Sequence, residues 1–192
     1  MPGGAAADSG CVQSMLFGLS LLTMSRELLI LRHAKSAWDT GAARDFDRPL
    51  EKRGRKASKK VGRFLKKQGL VPDYVVSSPA ERARQTVIAV CAKMGISPDQ
   101  INWDSRIYHA GVGTLLDVLN DCPANAKRVL ITGHNPGLEY LLQNLCNHEI
   151  PMPDDYKLMP TAAVARLEIL SEWKDLEGRL ARLLSLTRAR SL

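Results

Sequence analysis

The sequence contains few of the residues that build disulfide scaffolds, zinc sites or membrane spans. Its 192 residues include four cysteines, Cys11, Cys91, Cys122 and Cys146, and none of them forms a Cys-x-x-Cys pair. Neither a zinc site nor a disulfide framework is indicated, so a reducing compartment is expected. The apolar stretch at residues 15–22 is too short to cross a bilayer, and no membrane span is predicted.

The amino-terminal segment lacks the basic residues of a targeting signal. No Lys or Arg precedes Arg26, whereas secretory signals begin with basic residues and transit peptides contain arginines. We predict a disordered extension at residues 1–25 and a single domain at residues 26–192. Hydrophobic residues make up 45% of the chain, enough for a full core, and no repeat or low-complexity linker divides it. A cytoplasmic location is favoured, with import into an organelle as the alternative.

Two histidines each follow a short apolar run that is typical of a buried strand. His33 comes after residues 28–31 and Arg32, and His134 comes after residues 129–132 and Gly133. Both imidazoles would therefore lie at the carboxyl ends of strands, the edge of an open α/β sheet where ligands bind.

Apolar residues at three-to-four residue spacing predict helices between the strands. The three stripes are Ala57, Val61, Phe64 and Leu65; Ala83, Val87, Cys91 and Met94; and Leu138, Leu141, Leu142 and Leu145. Strands that alternate with helices indicate an α/β fold with a mostly parallel sheet. Alternation at residues 163–169 predicts a further strand, at an edge of the sheet, and residues 171–192 are expected to form a helix or a last strand.

A third strand candidate, residues 74–77, brings cationic side chains to the same edge. It leads into a segment that carries Arg82 and Arg84. Arginine presents a planar fork of donors to phosphate oxygens, and a helix N-terminus adds positive potential. A neutral imidazole in such a cluster can attack phosphorus as a nucleophile. The residues therefore predict a phosphate site.

Three local patterns resemble the histidine phosphatase superfamily, also called phosphoglycerate mutase-like. They are Arg32-His33 with Ser36 and Trp38; Ser77-Ser78-Pro79 with Arg82, Ala83, Gln85 and Thr86; and Gly133-His134-Asn135-Pro136-Gly137. Ala34-Lys35-Ser36, Asp47-Arg48-Pro49-Leu50 and the compact length are most similar to the SixA-type phosphohistidine phosphatases. The resemblance covers residues 27–170 and implies a three-layer α/β/α domain.

The resemblance also implies roles for individual residues. His33 would become transiently phosphorylated, while Arg32, Arg82 and His134 would hold the phosphoryl oxygens, with Ser36 as a further substrate contact. Positioning and charge stabilisation supply most of the catalysis in phosphoryl transfer, which agrees with this cluster. The chemistry requires neither a metal nor a cofactor.

The sequence departs from the wider superfamily in two places. Members that cleave phosphate monoesters carry an acidic proton donor between the second and third patterns, and no carboxylate in residues 103–111 can be assigned that role. Without general acid help, worth about 10²–10⁴-fold, alkoxide leaving groups are penalised more than the imidazole of a phosphohistidine. Asp39 stands where many relatives have Asn, and it is expected to point away from phosphate or to pair with an Arg.

A phosphohistidine in a protein is therefore the predicted substrate, and the short segment at residues 34–50 leaves no room for a cap over the pocket. One alternative is a small phosphoester, with His109 or Asp104 as proton donor, although His109 is expected to lie in a loop. Another is a weakly catalytic module that binds phosphate or nucleic acid. His148 is expected to be structural. The sequence does not predict an oligomeric state.

The net charge is +7, and basic residues crowd the first predicted helix. They are Lys52, Arg53, Arg55, Lys56, Lys59, Lys60, Arg63, Lys66 and Lys67. A solvated helix face is the favoured interpretation, because aromatic residues are not interleaved and no nucleic-acid motif occurs. Attraction of an acidic phosphoprotein to the neighbouring pocket is the second interpretation.

Overall fold

Six strands form one sheet in the part of the chain that the structure describes. The computed structural model describes residues 26–38, 41–147, 150–177 and 181–192. The strands are β1 (Arg26–Arg32), β2 (Tyr74–Ser77), β3 (Ile101–Trp103), β4 (Arg128–Gly133), β5 (Val164–Ile169) and β6 (Ala181–Thr187), in the order β3-β2-β4-β1-β5-β6. The amino-terminal extension, Asp39 and His148 lie outside the described residues.

The sheet is mostly parallel, as predicted. β1 pairs with β4, β4 with β2, and β2 with β3, all in parallel, whereas β5 runs antiparallel to β1 and to β6. The predicted strand at residues 163–169 exists, but its predicted edge position is wrong because β6 covers its outer side. Residues 171–192 were expected to form a helix or a last strand, and they contain the strand β6.

Four α-helices cover the two faces of the sheet within the described ranges. They are α1 (Lys52–Lys67), α2 (Glu81–Met94), α3 (Val112–Asn120) and α4 (Gly137–Leu145). α3 was not predicted; the other three coincide with the apolar stripes. The expected α/β/α arrangement is confirmed, since α1 and α2 pack on one face and α3 and α4 on the other.

The strand β1 divides its side chains between two hydrophobic cores. Leu28 and Ile30 pack with α3 and α4, whereas Leu29 and Leu31 pack with α1 and α2. All four are fully buried. A strand covered on both faces has a continuous apolar run rather than an alternating one. Each such side chain stabilises the fold by about 1.5–3 kcal/mol, so β1 is a rigid base for the residues that follow it.

Two glycines allow helices to approach the loops that carry functional side chains. A Cβ at Gly54 in α1 would overlap the carbonyl oxygen of Lys35, and one at Gly137 in α4 would overlap that of Ala110. α1 can therefore lie against the loop after β1, and α4 against the loop after Tyr108. Any larger residue would push these loops away from the sheet edge.

Candidate active site

His33 is held in one orientation at the carboxyl end of β1. Its backbone N–H donates to the carbonyl of Gly133 at 3.0 Å, and its ring Nδ1 lies 2.8 Å from the carbonyl oxygen of Ala34. A carbonyl only accepts hydrogen bonds, so Nδ1 carries the proton and Nε2 keeps its lone pair. The next residue is also fixed, because the N–H of Ala34 donates to Oγ1 of Thr86 at 2.9 Å.

The imidazole of His33 is neutral at physiological pH. Burial lowers the pKa of His33 from 6.5 to about 4; the hydrogen bond with Ala34 opposes this shift, and the positive charges of Arg82, Arg32 and Arg48 add to it. A neutral ring with a free Nε2 is the form that attacks an electrophilic centre.

His134 lies beside His33, as the two strand ends predicted. The ring centroids are 5.1 Å apart, and Nε2 of His134 is 2.9 Å from Oγ of Ser78. Burial, together with the charges of His33 and Arg82, lowers the pKa of His134 from 6.5 to about 3. Its Nδ1 is buried and has no hydrogen-bond partner within the described residues. Such an atom costs about 1–3 kcal/mol until a ligand satisfies it.

Three arginines surround His33. Nη1 of Arg32 donates to the carbonyl of Met159 at 2.7 Å, while its Nε is buried and lacks a partner in the described part of the chain. Arg82, from the first turn of α2, is 6% exposed. Arg48 donates to Oγ of Ser36 at 2.7 Å and lies 3.7 Å from the ring centroid of Trp38. Arg48 was quoted in the sequence motif, but its place in the site was missed.

These side chains enclose a pocket of about 190 Å³. Its described lining residues are Arg32, His33, Lys35, Ser36, Trp38, Arg48, Arg82 and Thr161. Four of the five predicted site residues therefore line one cavity, and the ring of the fifth, His134, lies beside that of His33. The described lining contains cations and no carboxylate, which suits a small dianion such as a phosphoryl group.

Asp45 connects the cations at the side of the pocket. Its carboxylate accepts from Arg82 at 2.9 Å, from Arg48 at 2.6 Å and from the hydroxyl of Tyr108 at 2.9 Å. Partial burial would raise the pKa of Asp45, but the hydrogen bonds from Tyr108 and Arg48 and the charge of Arg82 lower it to about 2. Sequence analysis did not find Asp45 or Tyr108, because their contacts join residues far apart in the chain.

The two alternative proton donors named from the sequence are placed differently. Asp104 accepts hydrogen bonds from Arg106, which lower the pKa of its carboxyl. It is therefore ionised at neutral pH and cannot donate a proton. His109 is exposed in the loop after β3, as expected, with its ring centroid 4.0 Å from that of Tyr108.

The cysteines described here do not contribute a nucleophile. Cys91 and Cys122 are buried in the cores on opposite faces of the sheet. Burial raises the pKa of both thiols to about 12. Among the described residues, no group of three or more His, Cys, Asp or Glu could hold a metal ion, and no helix is long and apolar enough to cross a membrane.

Comparison with known proteins connects this geometry to a family. Residues 28–106 match the model of the histidine phosphatase superfamily (branch 1). Phosphohistidine phosphatase SixA of Escherichia coli is 30% identical over 146 residues, which span 74% of this chain and 85% of that protein.

Solved structures show the same fold. A protein from Agrobacterium tumefaciens, provisionally assigned as a phosphohistidine phosphatase SixA, superposes with a TM-score of 0.72 at 27% identity, covering 85% of this chain and 97% of that one. The protein histidine phosphatase SixA complexed with tungstate gives a TM-score of 0.72 at 26% identity, over 86% of this chain and 98% of that one. Sequence, fold and the paired histidines agree that this chain belongs to the histidine phosphatase superfamily.

Proposed function

We propose that this chain is a protein phosphohistidine phosphatase that works through a phosphorylated His33. One observation carries the proposal above the others. His33 is a neutral, tethered imidazole whose free Nε2 lies in a pocket lined by Arg32, Arg48 and Arg82. A SixA protein of the same fold has been solved in complex with tungstate, a tetrahedral oxyanion like phosphate, which supports an oxyanion as the ligand.

In the first step, Nε2 of His33 attacks the phosphorus of the substrate. A bond forms between Nε2 and phosphorus, the bond from phosphorus to the substrate nitrogen breaks, and its electron pair stays on that nitrogen. The substrate ring, protonated on its other nitrogen, then departs as a neutral imidazole. The His33 ring becomes cationic, and the carbonyl of Ala34, which accepts from Nδ1, stabilises that charge. Arg32 and Arg82 would bind the phosphoryl oxygens, where fixed positive charge stabilises the transition state.

His134 would donate to the same oxygens. In the tautomer in which the hydroxyl of Ser78 donates to Nε2, the proton of the neutral His134 ring is on Nδ1, which has no partner among the described residues. Nε of Arg32 is a second buried donor of this kind. A phosphoryl group that accepted from both would remove two desolvation penalties of about 1–3 kcal/mol each.

In the second step, a water molecule attacks phosphorus and the bond to Nε2 breaks. The electron pair returns to Nε2, the water loses a proton to solvent, and inorganic phosphate leaves. Ser36 lines the pocket, and its hydroxyl accepts a hydrogen bond from Arg48. Besides contacting the substrate, Ser36 would therefore hold the Arg48 guanidinium in place.

The choice of phosphohistidine is supported by the ionisation state of Asp45, which pairs with Arg82 and Arg48, and of Asp104, the carboxyl named from the sequence as an alternative proton donor. Asp45 and Asp104 both have lowered pKa values and are carboxylates at neutral pH. Neither can protonate an alkoxide leaving group, and that help is worth about 10²–10⁴-fold. An imidazole leaves a phosphoramidate with less assistance, so phosphohistidine suits this pocket better than a sugar phosphate.

The test compares phosphate release from three substrates: a phosphohistidine protein, an aryl phosphate and a sugar phosphate. The proposal expects the highest kcat/KM for the phosphohistidine protein and loss of all turnover in His33→Ala. It also expects an acid-labile phosphoenzyme in the unaltered protein. A preference for the sugar phosphate would reveal another proton donor, and binding without turnover would make the chain a phosphate-binding module.

A further inference from the structure

A second and larger pocket adjoins the catalytic one on the side of α1. It has a volume of about 560 Å³, and its described lining consists of Lys35, Arg53, Gly54, Lys56, Ala57, Lys60, Thr161, Ala189 and Arg190. We call it the basic groove. Lys35 and Thr161 line both cavities, so the basic groove begins where the catalytic pocket ends.

The basic groove concentrates positive charge on one wall. Five of its described lining residues are Lys or Arg, and none is acidic or aromatic. Arg53 and Arg190 have carboxylate partners, Glu51 and Asp155, and Nζ of Lys60 donates to the main-chain oxygen of Leu192 at 3.2 Å. Lys35 and Lys56 make no ion pair within the described parts of the chain. Unpaired cations that face one cavity attract an anionic ligand more than a solvated helix face does.

The two cavities differ in volume, and the difference indicates which part of a substrate each can hold. Ligand pockets usually measure about 300–1,000 Å³, so the catalytic pocket, at about 190 Å³, holds little beyond the phosphoryl group. The basic groove falls within the usual range. The rest of a bound substrate therefore has a cavity to occupy that is continuous with the site of reaction.

The spacing of the cations favours an extended acidic chain over a single phosphate. Arg53, Lys56 and Lys60 follow one another along α1, and at 1.5 Å per residue they span about 10 Å. This spread is too wide to converge on one phosphate. It matches carboxylates on a short extended peptide, which advances about 3.3 Å per residue. The described lining offers no aromatic ring on which a nucleic-acid base could stack.

We infer that the basic groove binds an acidic segment that flanks the phosphohistidine in the same substrate protein. The inference rests on the proposed function for its link to turnover, and it adds the class of protein that the enzyme selects. Lys59 lies on the same helix but does not line the basic groove. The basic residues of α1 therefore form two sets, one that lines the groove and one that faces solvent.

The first test measures binding without chemistry. A fluorescent, unphosphorylated peptide with Glu at alternate positions is titrated onto the full chain, its Gln analogue serving as the ligand control. The variant Lys56→Gln/Lys60→Gln should weaken binding about tenfold, since two exposed charge pairs with the peptide are lost. The matched control is Lys59→Gln/Lys66→Gln, which removes two exposed charges of α1 outside the groove and should change affinity less than twofold.

The second test measures turnover of two phosphohistidine peptides, one with acidic and one with neutral flanks. Lys56→Gln/Lys60→Gln should raise KM for the acidic peptide about tenfold and leave an aryl phosphate unchanged. Equal losses in the groove and control variants, or equal affinity for the Glu and Gln peptides, would overturn the inference. So would tighter binding of a single-stranded oligonucleotide than of the acidic peptide. Peptide binding in a protein that hydrolyses only the aryl phosphate would refute the proposed function and leave the groove assignment standing.

Discussion

The two ends of β1 both carry buried charged groups, but the charges are balanced at one end only. At the amino end, Glu27 is 8% exposed and binds Arg128, at 2.5 Å, and Arg166. At the carboxyl end, Arg32, Arg82 and Arg48 face one pocket. Asp45 forms ion pairs with Arg82 and Arg48, whereas Arg32 forms no ion pair among the described residues and is influenced only by the charge of Glu139. The first cluster has the composition of a structural network, and the second leaves room for an anion.

The difference lies in where the counter-charge comes from. Glu27 is supplied by the same strand as Leu28 and Leu29, so its network forms whenever the sheet forms. Asp45 comes from the loop before α1, and its side chain is 44% exposed. A phosphoryl group can therefore replace Asp45 at Arg82 without disturbing the core. Substitutions at the two ends should separate stability from activity.

The largest effect is expected from His33→Ala, at the carboxyl end. Loss of the nucleophile should lower kcat by about 10⁴-fold or more while the melting temperature changes by only a few degrees. Steady-state phosphate release and a thermal melt on the same preparation measure both. Residual turnover within tenfold of the unaltered protein would mean that another group accepts the phosphoryl.

Arg82→Lys keeps the positive charge but removes the planar fork of donors. We expect kcat/KM to fall by about 10²- to 10³-fold, because lysine cannot bind two phosphoryl oxygens in parallel. Arg84→Lys is the matched control, since Arg84 lies on the same helix and pairs with Glu81 at the surface. Similar losses in both variants would argue against a special role for Arg82.

At the amino end, Glu27→Gln should affect stability and spare the site. We expect the free energy of unfolding to fall by about 2–3 kcal/mol at pH 7, because two arginines lose their counter-charge. Burial raises the pKa of Glu27, but the hydrogen bonds from Arg166 and Arg128 bring it below its ordinary value of 4.5. Glu27 therefore stabilises the fold above pH 4.5 and loses that effect as the pH falls further.

Urea unfolding at several pH values measures this prediction. The difference between the two proteins should be full at pH 7 and shrink below pH 4.5, while kcat per folded molecule stays unchanged. A deficit that persists undiminished in acid would assign the effect to packing rather than charge.

The histidines at the carboxyl end have their own pH dependence. The pKa of His33 is lowered from 6.5 to about 4, so the unfolded chain binds this proton more readily than the folded one between those values. Above pH 6.5 the burial of His33 does not lower the free energy of unfolding, because the ring is neutral in both states. As the pH drops from 6.5 towards 4, the free energy of unfolding falls. His33→Ala should flatten the slope of unfolding free energy against pH over that interval. An unchanged slope would show that His33 titrates normally.

The smallest effect is expected from Asp45→Asn. Removing the carboxylate that competes for Arg82 should lower the inhibition constant for inorganic phosphate about threefold, because Arg82 and Arg48 both lose a partly exposed ion pair with Asp45. Asp47→Asn is the control, because Asp47 pairs with Arg44 at the surface. Weaker phosphate binding in Asp45→Asn would instead make Asp45 a positioning residue for Arg82.

The sequence predicted those parts of the molecule whose signals are local. β2 begins and ends at the predicted residues, and the strands before His33 and His134 follow from apolar runs covered on both faces. α3 was missed although Leu115, Val118 and Leu119 have helical spacing, and its first two residues, Val112 and Gly113, are weak helix formers. The contacts of Asp45 with Arg82 and Tyr108 join positions 37 and 63 residues apart, and no local pattern encodes them.

Trp38 gives the catalytic pocket an optical reporter of its own. Its side chain is 73% exposed and lies under the guanidinium of Arg48. Trp173, by contrast, is fully buried, and its indole N–H donates a hydrogen bond to the carbonyl of Ala126. An indole in water emits at longer wavelength than one in a core, and its emission responds to an adjacent charge. Any anion that draws Arg48 away from the ring therefore changes the emission of Trp38, so that binding to this enzyme can be followed without a labelled ligand.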